Sequence, residues 1–150
     1  MHRFILFLVV MAISPLLGIA STSSPASLED SIRHVLEGQV QAWNRHNLEA
    51  FMNGYWNSPD LTFFSGGQVA QGWDQALARY RKRYQGEGHE MGKLNFSDLR
   101  IEPLGANAAF VRGAWHLTTS DGKNPHGLFT LIFRKFPEGW KIVHDHTSGD

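Results

Sequence analysis

The chain has 150 residues, a length for one domain, with 42% hydrophobic residues and ten Phe, five Trp and three Tyr to build a core. Its 14 Lys and Arg balance 14 Asp and Glu, so no net field draws it to nucleic acid or to an anionic membrane surface. With no cysteine, disulfides, a thiol nucleophile and thiolate-bound zinc or iron–sulfur clusters are all excluded.

The first twenty residues follow the grammar of a secretory signal. Met1, His2 and Arg3 form a short positive start, an apolar run extends from Phe4 to about Ile19, and Gly18 and Ala20 supply the small residues that precede a cleavage point. Pro15 interrupts the run, which is shorter than the ~20 residues of a membrane span, so cleavage near Ala20 is expected rather than anchoring. The expectation is a periplasmic or secreted protein with no membrane attachment after processing. No cysteine follows the small residues to carry a lipid.

Residues 21–27 read as a polar linker. From Leu28 the apolar residues Ile32, Val35, Leu36, Val40 and Trp43 recur at three- and four-residue steps, the mark of a helix with one buried face, and Ser27 with Asp30 suits its start. The polar stretch from Asn44 to Asn47 breaks it. Leu48, Phe51, Met52 and Tyr55 predict a second short helix ending near Pro59. A strand is expected over residues 60–65, closed by a tight turn at Gly66 and Gly67, and a third helix over residues 72–84. After a glycine-marked loop, four strands follow at 93–103, 108–119, 126–136 and 140–148. Their short connections dictate antiparallel order. Helices first and a meander afterwards make the fold class α+β, with the helices on one face of a curved sheet.

Three stretches carry a family likeness: Gln41 to Phe51 with its Trp43-Asn44 helix junction, Asp60 to Gly67 running into Gly72-Trp73, and Gly139 to Ser148 with its His144-Asp145-His146 core. Together they resemble the nuclear-transport-factor-2-like, or SnoaL-like, superfamily, and the last is similar to the association domain of calcium/calmodulin-dependent protein kinase II. The resemblance spans residues 28–148. It implies a cone-shaped, cystatin-like fold of three helices on a bent, mostly antiparallel sheet that encloses a pocket, in a chain that dimerises through the outer sheet face. Members include isomerases, cyclases, dehydratases, binding proteins and oligomerisation modules, so the fold gives the place of a site and not its chemistry.

Strand alternation sorts the side chains. Val111, Gly113, Trp115 and Leu117 are expected inward with Arg112 and His116 outward; Phe129, Leu131 and Phe133 inward with Arg134 outward; and Trp140, Ile142, His144 and His146 inward with Lys141 and Asp145 outward. The pocket is thus expected to be aromatic and lined by Tyr55, Trp56, Phe63, Ser65, Trp73, Tyr84, Trp115, Phe129 and Leu131, with His144 and His146 as candidate catalytic acid and base. Trp43 and Trp140 are assigned to the helix–sheet core.

Ketosteroid-isomerase chemistry needs a carboxylate base and an acidic donor. The resemblance puts Ser65 and Gln39 at those positions, neither of which suits. His144 and His146, with His126 beside them, have a chelating spacing but no inward carboxylate, so no metal and no cofactor is expected. The kinase association domain lines its pocket with arginines where this chain has Trp115 and Leu131, which speaks against an anionic ligand. The run Arg79, Arg81, Lys82 and Arg83 reads as a solvated helix face.

Three functions stay open: an exported domain binding a small hydrophobic molecule; an enzyme of isomerase, dehydratase or cyclase type working on a hydrophobic carbonyl substrate through a pocket histidine; and a dimerisation module with no ligand. The apolar character of outward Phe110, Ala114, Leu128, Thr130, Ile132 and Val143 leads to the expected homodimer.

Overall fold

Helix α1 (Leu28–Asn44) starts with a capping box, the Asp30 N–H donating to Ser27 Oγ at 3.0 Å while the Asp30 carboxylate accepts from the Ser27 N–H. It buries Ile32, Leu36, Gln39, Ala42 and Trp43 along one face. The structure, a computed structural model, describes residues 27–149. The signal sequence read over residues 1–20, and the linker up to Ser27, lie outside the described residues.

Helix α2 (Leu48–Met52) is shorter than its apolar pattern implies. It is capped by Asn47, whose Oδ1 accepts from the Ala50 N–H, and it ends before Gly54. Tyr55 is therefore not helical. It forms a single parallel bridge with Ile142, flanked by hydrogen bonds from Trp56 N–H to Ile142 O and from Ile142 N–H to Gly54 O.

Strand β1 (Thr62–Ser65) and a strand that the sequence pattern did not reveal, β2 (Gln68–Gln71), form a hairpin. Its two-residue loop needs φ > 0 at both positions, which Gly66 and Gly67 supply at 58° and 71°. Helix α3 (Trp73–Tyr84) follows, then β3 (Lys93–Pro103), β4 (Ala108–Thr118), β5 (His126–Phe136) and β6 (Gly139–Thr147).

One six-stranded sheet results, in the order β2-β1-β6-β5-β4-β3. The four long strands form the antiparallel meander expected from their short turns, while β1 lies parallel to β6. Two bulges bend the sheet around the helices. One lies in β3 between Ser97 and Arg100, where Asp98 adopts φ 54°. The other lies in β6 opposite the Ile132–Phe133 step. The core between helices and sheet holds Ile32, Leu36, Leu48, Met52, Val111, Phe133 and Ile142, all nearly or fully buried. Among the described residues no helix is long and apolar enough to cross a membrane.

Candidate functional site

The β6 bulge decides which side chains enter the pocket. Phe133 pairs with Ile142 and Ile132 pairs with His144, so Val143 is the extra residue on β6. Past that point the alternation reverses phase. It falls where β6 changes neighbour, from the bridge at Tyr55 to the parallel ladder with β1 that begins at Thr62 and His144. The two expectations for this strand are corrected as a result. Asp145, expected outward, points inward and is 3% exposed. His144 and His146, expected in the pocket as acid and base, lie on the outer sheet face. There His144 Nδ1 meets Thr62 Oγ1 at 2.6 Å and its ring packs edge-on against Phe64 at 4.9 Å, while His146 is exposed.

The cavity between helices and sheet has a volume of about 170 Å³. Seven side chains expected to line it do so: Tyr55 after α2, Phe63 and Ser65 on β1, Tyr84 on α3, Trp115 on β4, and Phe129 and Leu131 on β5. Trp56 and Trp73 lie elsewhere. Trp56 stacks on Phe136 with ring centroids 5.4 Å apart, and the Trp73 indole N–H donates to Met52 O at 3.0 Å, tying α3 to α2. Trp140 is buried in the core, whereas Trp43 both belongs to the core and reaches the cavity, its indole N–H donating to Met91 O.

At the cavity wall stands a hydrogen-bonded relay of three groups. The Tyr55 hydroxyl donates to Asp145 Oδ2 at 2.7 Å, and the Tyr80 hydroxyl lies 3.1 Å from that of Tyr55. With the Tyr55 proton directed at the carboxylate, Tyr80 is left to donate to Tyr55. Thr147 Oγ1 donates to the other carboxylate oxygen at 2.7 Å. Burial raises the Asp145 pKa to about 6, against the lowering pull of the Thr147 and Tyr55 hydrogen bonds and of the His146 charge. Burial, reinforced by the Asp145 charge, pushes both tyrosines well above their ordinary value.

Gln39 and Ser65, at the positions the resemblance gives to isomerase donor and base, both line the cavity. The Gln39 amide is spent on Phe51 O at 3.2 Å, and its side chain lies against Gly54, where an added Cβ would come within 2.7 Å of it. The basic run of α3 divides by helical phase: Arg81 faces out and pairs with Glu49, while Arg79 and Arg83 line the cavity. The reading of that run as wholly solvated, and of a pocket without cations, is corrected accordingly. Among the described residues no group of three or more His, Asp or Glu converges to hold a metal ion.

Residues 32–149 match the model of the SnoaL-like domain family. The chain belongs to the SnoaL-like family. A solved NTF2-like protein of unknown function from Shewanella oneidensis is 40% identical to this SnoaL-like chain, with a TM-score of 0.73 over 80% of this chain and 98% of that one. A nuclear transport factor 2-like superfamily protein from Salmonella enterica is 23% identical over 79% and 87% of the two chains, at a TM-score of 0.66. A putative calcium/calmodulin-dependent protein kinase type II association domain from Thiobacillus denitrificans shares the fold at 18% identity and a TM-score of 0.65, over 77% and 92% of the chains. No curated protein matches the sequence. The SnoaL-like fold fixes the cone and its cavity, and the residues inside are this chain's own.

Asp145, Tyr80, Arg79 and Arg83 are the site residues that sequence reasoning missed. Tyr80 stands on the apolar face of α3, at helical steps from Leu77 and Tyr84, and was within reach of periodicity. Asp145 was not, because no glycine or proline marks the bulge at Val143.

Proposed function

We propose that this protein is an exported domain that binds one small cyclic molecule between its helices and sheet, with the Asp145–Tyr55 pair as the polar contact. The observation that carries this reading is a buried carboxyl, hydrogen-bonded through a tyrosine relay, on the wall of an otherwise largely aromatic cavity. A cavity of about 170 Å³ sets the size of the ligand. An apolar cavity of about 150 Å³ takes up benzene, so one ring fits. The signal grammar of residues 1–20 supports export, and mass spectrometry of the periplasmic or secreted protein is expected to find a chain beginning near Ser21.

Titration calorimetry with single-ring probes tests the binding. Cyclohexanone and phenol are expected to bind the wild-type protein and to bind Tyr55→Phe and Asp145→Ala variants at least tenfold more weakly. Equal affinity for all three proteins would remove the pair from the site.

A second reading, proton transfer to or from a bound carbonyl compound, is favoured by the same carboxyl. With a pKa pushed up to about 6, Asp145 is near the pH at which general acid–base catalysis works best. Incorporation of solvent deuterium α to the carbonyl of a bound cyclic ketone, lost in Asp145→Asn, is the expected signature.

A further inference from the structure

Arg79 and Arg83 stand one helical turn apart on α3 and both reach the cavity. The Arg79 guanidinium lies over the Phe63 ring, 5.4 Å from its centroid, and donates to Ser65 O through Nη2. That of Arg83 lies over Tyr84 at 5.6 Å, with Nε donating to the Tyr84 hydroxyl at 3.3 Å. Each bond uses one of five N–H donors. Among the described residues neither arginine has an acidic partner, although Arg33, Arg81, Arg112 and Lys123 all do. Among the described residues Asp145 is the one carboxyl lining the cavity, and both its oxygens already accept hydroxyl protons. Two like charges one turn apart repel each other, and nothing in the described fold neutralises them.

The layout has a direction. Asp145 and Tyr55 are buried at the inner wall, whereas Arg79 is half-buried and Arg83 exposed. Aromatic side chains, Phe63, Tyr84 and Trp115 among them, line the space between. A guanidinium binds a planar carboxylate through paired N–H bonds, and a lysine at the same place would offer only a point charge.

We infer that the pocket takes its ligand as an anion, a single-ring carboxylic acid whose ring fills the aromatic cavity and whose carboxylate is held at the mouth by Arg79 and Arg83. This rests on the ligand-binding reading above and names the class of ligand for that same site.

Calorimetric titration with benzoate, cyclohexanecarboxylate and benzamide separates the two. Benzamide has the shape of benzoate without its charge. The wild-type protein is expected to bind benzoate at least tenfold more tightly than benzamide, with an affinity that falls as salt is raised. Arg83→Gln, on an exposed helix position, is expected to lose several-fold of that preference, and Arg79→Gln with Arg83→Gln together to abolish it. Circular dichroism of the variants confirms the fold. Equal affinity for benzoate and benzamide, or a preference that survives the double substitution, overturns the anionic assignment and leaves the ligand-binding reading standing. Failure of all three probes to bind overturns both.

Discussion

Asp145 is a residue whose environment works against its charge. Its carboxyl is raised to about 6 by burial, while the unfolded chain titrates near 3.9. The folded state therefore holds the proton more tightly, so the stabilisation from this group is complete below about pH 4 and is lost as pH rises through about 6. The loss amounts to about 3 kcal/mol. Urea unfolding of wild type and Asp145→Asn between pH 4 and 7 is expected to show that decline in the wild type and not in the variant, so that the difference between the two curves isolates it. Tyr55 works the other way, since its hydroxyl solvates the carboxylate. Tyr55→Phe is expected to raise the Asp145 pKa further and to lower stability at pH 7 by about 1.5–3 kcal/mol, read from carboxyl carbon chemical shifts and from the same unfolding curves. The tyrosine pair thus holds a charge that the aromatic wall would otherwise expel.

Among the elements, β6 carries the most information and concealed the most. The helices were legible because α1 and α3 keep a strict apolar face, and the meander was legible because its turns are marked by Gly105, Gly122 and Gly139, each with φ > 0. On β4 and β5 the alternation fixes facing correctly: Trp115, Leu117, Phe129 and Leu131 are buried, with Arg112 and Arg134 exposed. On β6 the same rule fails after Ile142, because a bulge depends on what the strand pairs with and not on its own residues. β2 was hidden for a similar reason, being a four-residue strand held by the hairpin turn rather than by a pattern of its own. The end of β6 is fixed by close packing. A Cβ on Gly127 would come within 2.0 Å of Ser148 O, the carbonyl that accepts from the Trp115 indole at 2.9 Å. Gly127→Ala is expected to displace this tail, destabilise the domain by about 1–3 kcal/mol and shift Trp115 fluorescence to the red.

At the scale of the whole molecule, the sheet has a second face to account for. Leu128 is 65% exposed and Phe64 36%, with Phe110, Ile132 and the rings of His144 and His146 on the same side. An apolar face of this kind on a folded domain calls for a cover, and we propose a second copy of the chain. Sedimentation at micromolar concentration is expected to find a dimer for the wild-type protein and a folded monomer for Leu128→Asp with Ile132→Asp. A wild-type monomer would remove the assembly. The outer face and the cavity meet in three consecutive residues, His144, Asp145 and His146, which β6 deals alternately to the two sides. The bulge at Val143 sets that deal. Pairing the same residues without the bulge, a one-residue slip of register past Ile142, would turn both imidazoles into the cavity and the carboxyl out of it. Loss of Val143 itself would instead take up the bulge and leave all three facings as they are. Surface chemistry and pocket chemistry are tied here to one pairing register, and a strand shortened by its bulged residue would keep both.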